Sequence, residues 1–368
     1  MNILVTGADG FIGKNLIVSL KRNTNVEILK FTRQNSLDEL GSLIEKSDFI
    51  FHLAGINRPE TEDEFKFGNA DLTLAICEQV KATGRNIPIV LSSSIQAERE
   101  NAYGHSKLLA ETYLLNLHNE TGNRVYLYRL PNVFGKWCKP NYNSVVATFC
   151  HNIANGLPIQ INDENASLNL VHIGAVITSF IDVLYNQPTD KIHVDVEPVY
   201  KVTLGELAAK IYDYKNSRET LITERVGDGF ERVLYATYIS YIKPDDFGYE
   251  VVQHEDPRGR FVEMLKTKDS GQFSFFTAHP GVTRGGHYHH CKTEKFLVIK
   301  GKARFGFRHI VTDEVCELIT TGDEAKIVET VPGWSHDITN IGEEELIVML
   351  WANENFDPQA PDTVAYKV

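Results

Sequence analysis

Residues 2–6, Asn-Ile-Leu-Val-Thr, run without a break into Gly7-Ala-Asp-Gly10-Phe11-Ile12-Gly13, and Lys14 to Leu20 then carries helical apolar spacing. Few folds accept a strand that enters a glycine turn and leaves as a helix. The arrangement brings backbone amides close to a pyrophosphate at a helix N-terminus. Glycine serves there because any Cβ would obstruct the ligand. The alternation continues through a strand at Val26–Phe31, a buried-type strand from Asp48 that breaks at Gly55, helical spacing over Phe67–Val80 and a strand at Ile87–Leu91. Strands alternating with helices predict a doubly wound parallel sheet of Rossmann type.

Two further features bear on chemistry. The second strand ends in Thr32-Arg33, where a site for NAD would place an acidic residue against the ribose hydroxyls. Arg33 suits a 2′-phosphate, so NADPH is the expected cofactor. The strand at Ile87–Leu91 runs into Ser92-Ser93-Ser94, and nine residues later Tyr103-Gly-His-Ser-Lys107 opens a helix to about Glu120. Tyr and Lys four apart share a helix face. A free phenol titrates near pH 10, so it exchanges protons poorly at neutral pH without help. A nearby ammonium stabilises the phenolate, and a serine hydroxyl can hold the substrate oxygen.

TGADGFIG, HLAG, SSS, YGHSK and RLPNVFG together resemble the extended short-chain dehydrogenase/reductases that act on nucleotide sugars, over roughly residues 1–240. The resemblance implies that Gly7, Gly10 and Gly13, with Phe11 and Ile12 between them, form the dinucleotide turn. It makes Ser94, Tyr103 and Lys107 the catalytic set, with Tyr103 and Lys107 also touching the cofactor. Leu53 and Ala54 would border the adenine side, and Pro131 and Asn132 the nicotinamide end and the substrate. The family's usual acidic pair after its R-D-F-V-H segment is missing; the chain reads Leu168-Asn-Leu-Val-His172-Ile-Gly174-Ala175, so that part of the substrate lobe is expected to differ. The loop Phe134–Ser144 is dense in donors and aromatics, and places Lys136 and Lys139 where they would face phosphate. Residues from Ser144 to about Tyr238 would form the smaller substrate lobe.

At Lys243-Pro-Asp-Asp-Phe-Gly248 the pattern changes to short strand-like runs separated by Gly, Pro and Asp turns. This predicts an NADP-binding reductase domain over 1–245 and an all-β barrel or jelly roll over 246–368. In the second part, His287 and His289 lie on one side of a strand, because side chains alternate with period two. Glu294 follows and His336 comes some forty residues later, a donor set for a divalent ion such as zinc. Gly281-x5-His287-x-His289-x4-Glu294-x6-Gly301 resembles the first cupin motif, and Pro332-Gly333-Trp-Ser-His336 the second, which departs in its Pro-Gly pair and in the position of Gly322. The metal-binding cupins imply His287, His289, Glu294 and His336 as ligands. Asp256-x-Arg258-Gly-x-Phe-x-Glu263 and the run around Arg284 also resemble the metal-free sugar 3,5-epimerases. By that match His287 is a general base, and Arg258 and Arg284 hold the nucleotide diphosphate. Both alternatives stand at this point.

The two halves share a chemistry. A proton on carbon 3 is acidic when carbon 4 is a ketone, and the same ketone accepts a hydride. The pairing resembles the bifunctional capsular-polysaccharide enzymes that join a short-chain reductase to a cupin. It implies a UDP-linked 4-keto-6-deoxy amino sugar as substrate, epimerisation at carbon 3, reduction at carbon 4, and a homodimer. A reductase with a purely structural cupin is the rival reading. Composition sets outer limits. The formal charge of −12 over 368 residues, without a basic cluster, disfavours nucleic acid and anionic membrane as partners. Five scattered cysteines without a C-x-x-C pair, and no visible targeting segment, point to the cytoplasm.

Overall fold

The computed structural model describes the chain apart from residues 23, 24, 60, 62, 189 and 190. It divides into two compact units, Met1–Ile211 with Arg232–Ile242, and Tyr212–Glu231 with Lys243–Val368.

In the first unit β1 (Asn2–Thr6), β2 (Glu27–Phe31), β3 (Phe49–His52), β4 (Ile89–Ser94) and β5 (Val125–Leu130) form a parallel sheet in the order β2-β1-β3-β4-β5. The central strands are covered on both faces, which is why they read as unbroken apolar runs. Ile3 and Val5 face one core layer with Phe51 and Tyr128, while Leu4, Ile50 and Leu91 face the other. Helices α1 (Phe11–Leu20), α2 (Leu37–Lys46), α3 (Asp63–Phe65), α4 (Leu72–Thr83) and α5 (Ala102–Thr121) connect the strands. The helical spacing over Phe67–Val80 corresponds to a π-helical turn, Lys66–Asp71, followed by α4. A smaller sheet in the same unit orders β6 (Asn132–Phe134), β7 (Ser167–His172) and β8 (Val199–Thr203).

In the second unit β9 (Ile222–Thr223) pairs in parallel with β11 (Gly259–Thr267). Beside β11 lie β10 (Gln253–Asp256) and β12 (Gln272–Ala278). The remaining strands are β13 (Thr283–Tyr288), β14 (Glu294–Lys300), β15 (Lys302–His309), β16 (Val315–Thr321), β17 (Ile327–Glu329), β18 (Trp334–Asn340), β19 (Leu346–Ala352) and β20 (Val364–Ala365). One sheet runs β10-β11-β12-β19-β14-β17 and the other β16-β15-β18-β13-β20. Phe276, Phe296, Val348 and Leu350 of the first sheet share a core with Phe305, Phe307 and Ile338 of the second, giving the two-layer jelly roll of a cupin. The observed units depart from the expected division at 245/246 in two respects: the boundary falls between Ile242 and Lys243, and an earlier segment crosses over. Residues 212–231 group with the β-sandwich, because β9 is hydrogen-bonded to β11 across about forty residues of sequence.

Candidate functional site

The sheet order reverses direction between β1 and β3, the place where open α/β sheets bind ligands. A cavity of about 690 Å³ lies at the carboxyl ends of these strands, lined by Gly7, Gly10, Arg33, Leu53, Ala54 and Asp71 among others. Its volume suits a nucleotide. Gly7 has φ of +66° and packs against the backbone of Ala54, while a Cβ on Gly13 would come within 2.3 Å of the Gly7 carbonyl. The turn therefore closes to the tightness that a pyrophosphate cradle needs. No side chain caps the start of α1. Phe11 and Ile12 are partly buried and pack against the core. Arg33 is exposed at the rim and makes no ion pair among the described residues. These features fit a dinucleotide with its adenosine end at Arg33. Pro131, Tyr103 and Lys107 lie outside the cavity's lining.

Ser94 closes β4 and caps the following turn, its hydroxyl accepting from the Gln96 amide at 3.2 Å. Asn101 caps α5 through the Gly104 amide at 2.8 Å. A Cβ on Gly104 would meet the Gln96 and Arg99 carbonyls at 2.3 and 2.4 Å, so this glycine lets α5 approach the Ser94 turn. Tyr103 stands close enough to Ser94 for the serine hydroxyl to act on the phenol. Burial pushes the Tyr103 phenol up, and the nearby Ser94 hydroxyl offsets this in part. The Lys107 ammonium lies 5.9 Å from the Tyr103 ring centroid and donates to the Ser92 carbonyl at 3.2 Å. It is buried, which lowers its pKa to about 8, against the opposing charge of Glu111. The group is thus a protonated phenol beside a hydroxyl, with a desolvated cation one helical turn away.

Several neighbours carry no sequence signal of their own. Asn69, in the π-helical turn, donates to Ser106 of α5 at 3.0 Å and pairs with both backbone groups of Ile56. Glu111, one turn beyond Lys107, is buried, accepts from Ser93 and is gripped by Arg129. His52 bridges Thr6 and Thr73 at 2.8 and 2.9 Å, and burial holds its pKa near about 3. Among the substrate candidates, Asn132 donates to the Asn169 carbonyl at 3.2 Å. Lys136 and Lys139 sit over the Trp137 and Tyr142 rings, and neither forms an ion pair among the described residues.

In the second unit a different set converges. His287 is cross-strand from His336, His289 stands just past β13, and Glu294 opens β14. One ligand atom from each lies within 4.8 Å of the others. The His289 Nδ1–H donates to the Asp362 carbonyl, so the neutral ring turns its Nε2 lone pair toward Glu294 Oε2, 3.2 Å away. His336 Nε2 stands 3.4 Å from the same oxygen, and its Nδ1 is buried without a hydrogen-bond partner. Acceptors facing one another at this spacing are satisfied by a shared cation. Burial, then the neighbouring rings of His336 and His289, lower His287 to about 4, keeping it neutral as a ligand must be. Burial pushes the Glu294 carboxyl up, but the neighbouring His289 and His336 rings and the Lys292 ammonium overcome it and keep the carboxylate ionised. Three nitrogens and one carboxylate oxygen fit a divalent transition ion. Arg258 and Arg284 are both tied to Asp256, at 2.6 and 3.8 Å, and Arg284 also donates to the Thr277 carbonyl.

The first unit has the fold of the nicotinamide-dependent enzymes of α/β class, and the second that of a cupin. Residues 3–194 match the NAD dependent epimerase/dehydratase family, and residues 254–364 match the polysaccharide biosynthesis C-terminal domain. The chain belongs to the NAD dependent epimerase/dehydratase family, in the branch that carries this C-terminal domain. It is 57% identical over its full length to 99% of a UDP-2-acetamido-2,6-beta-L-arabino-hexul-4-ose reductase from Pseudomonas aeruginosa. The capsular polysaccharide assembling protein CapF of Staphylococcus aureus is similar in structure, with a TM-score of 0.94, 44% identity and full coverage of both chains. A UDP-glucose 4-epimerase from Thermotoga maritima matches 66% of this chain and 98% of its own, with a TM-score of 0.56 and 18% identity, a likeness of fold alone. Among the described residues no helix is long and apolar enough to cross a membrane.

Proposed function

We propose that the chain is a bifunctional nucleotide-sugar enzyme acting on a UDP-2-acetamido-2,6-dideoxy-4-hexulose, on the route to UDP-N-acetyl-L-fucosamine for capsule or O-antigen polysaccharide. Residues 1–245 reduce the carbon-4 ketone with NADPH, and residues 246–368 epimerise carbon 3. The observation that carries the reductase is the buried Lys107 ammonium 5.9 Å from the Tyr103 ring, with Ser94 at the end of the neighbouring strand. The name of the 57% identical relative supports the ketone as substrate.

Bound NADPH supplies a hydride to carbon 4. Tyr103 gives its phenolic proton to the ketone oxygen, and Ser94 holds that oxygen by a hydrogen bond. Lys107, charged at neutral pH, stabilises the phenolate left behind. The free guanidinium of Arg33 favours NADPH over NADH. In the cupin, His287, His289, Glu294 and His336 would hold the ion, with zinc the metal that this donor set suits best. When bound, the ion would supply positive charge favouring the enolate left when carbon 3 loses its proton. Asp256 holds Arg258 and Arg284 together as a diphosphate clamp, with Lys136 and Lys139 serving the nucleotide at the reductase.

Proton NMR of a UDP-4-keto sugar in deuterated buffer tests the reading. Deuterium should enter carbon 3 without NADPH, and zinc removal should stop it. Reduction without any such exchange would reduce the cupin to a structural or dimerising module.

A further inference from the structure

The two ligands His289 and Glu294 are separated by a loop that belongs to neither β13 nor β14. A loop without a ladder must find acceptors for its amides elsewhere. Here each one is met by a side chain from a distant segment. The His290 amide donates to Asp362 Oδ1 at 2.8 Å, and those of Cys291 and Lys292 donate to Oδ2 at 2.6 and 2.8 Å. Thr293 donates to Asn353 at 3.0 Å and Glu294 to Thr330 at 2.9 Å. Three successive amides thus converge on one carboxylate, an anion nest filled from within the chain.

The same residue acts a second time. The Asp362 carbonyl accepts from His289 Nδ1 at 2.5 Å, fixing the ring's tautomer and its orientation. Asp362 is itself held in place. Two residues on, Val364 and Ala365 pair with Tyr288 and His287 of β13, and the Tyr366 amide donates to Gly286 at 2.9 Å. The strand that carries His287 therefore also anchors the residue that aims His289.

We propose that Asp362 is a positioning residue for the ion site, setting through its carboxylate the path of the loop and through its carbonyl the aim of His289. This rests on the reading of His287, His289, Glu294 and His336 as ligands. A simple tie would steady the sandwich without changing the ion. A positioning role ties ion affinity and residence to Asp362.

The test uses the full chain, stripped by chelator and reloaded with zinc, in wild-type, Asp362→Ala, Asp362→Asn and Asn353→Ala forms. Zinc affinity is read by competition with a chelating dye, and zinc loss by its rate into excess chelator. Thermal unfolding of the zinc-free proteins reports the fold. Asp362→Ala should bind zinc 10–100-fold more weakly and lose it faster. Asp362→Asn, which keeps one acceptor oxygen, should fall between, and it carries the test alone if the alanine variant does not fold. Asn353→Ala removes an acceptor from the same loop but leaves His289 aimed, so its affinity should stay near wild type. Wild-type affinity in the Asp362 variants, or equal losses in all three, would overturn the positioning role while leaving the ligands intact. A wild-type protein that takes up no zinc would overturn the ligand reading and this inference with it.

Discussion

At the scale of single residues, Tyr103 would bear the proton and Lys107 would set the pH range in which it is delivered. Tyr103→Phe removes the donor without altering the packed ring, so reduction should fall by roughly 10²–10⁴-fold while NADPH still binds, as followed by its fluorescence. The Lys107 pKa is lowered to about 8 by burial, whereas that of the Tyr103 phenol is raised. The cation is therefore present below about pH 8 and lost above it. Turnover should hold steady through neutral pH and decline as pH rises through about 8, and Lys107→Arg should move that limb upward in a pH–rate profile. Arg33→Asp should weaken NADPH by an order of magnitude or more and leave NADH little changed, measured as the ratio of kcat/KM values. Tyr103 and Lys107 were legible because helical spacing puts them on one face. Asp362 was not, since what it does depends on three amides some seventy residues earlier in the chain. His52 and Glu111 were equally silent, because a buried polar residue shows its partners only once the strands are laid side by side.

At the scale of elements, the N-terminal sheet was readable because strands covered on both faces become apolar runs, and because a glycine turn between strand and helix has few uses. The strand Val125–Leu130 escaped that reading, its Tyr128 and Arg129 looking like surface residues although Tyr128 is wholly buried. The π-helical turn at Lys66–Asp71 was read only as part of a longer helical spacing, since six residues are too few to establish a period of their own. The fit between α1 and the first turn permits a direct test. Gly13→Ala would drive a methyl to within 2.3 Å of the Gly7 carbonyl. It should cost about 1–3 kcal/mol in urea unfolding and weaken dinucleotide binding by tenfold or more. In the β-sandwich the clustering of His287, His289, Glu294 and His336 followed from their spacing, but the pairing of β20 with β13 did not, because two residues carry no periodicity.

For the whole molecule, acid should act chiefly through imidazoles that the fold keeps neutral. Burial lowers His52 to about 3 and His172 to about 4, well below the ordinary value of 6.5. The unfolded chain then binds more protons than the folded one between these limits. Stability is full above about pH 6.5 and is lost as pH falls toward 4, at up to about 1.4 kcal/mol per pH unit for each ring. Urea midpoints at pH 7.5, 6 and 5 should decline accordingly, and His52→Gln should flatten the slope. The loop between His289 and Glu294 has a consequence in time as well as in space. Its amides are satisfied by Thr330, Asn353 and Asp362, all of them synthesised after it. While the ribosome is still translating those residues, the emerging ligands have donors to offer but no frame to hold them. A metal captured then would meet loose imidazoles, and the mature geometry can be reached only once residues near 362 have left the exit tunnel.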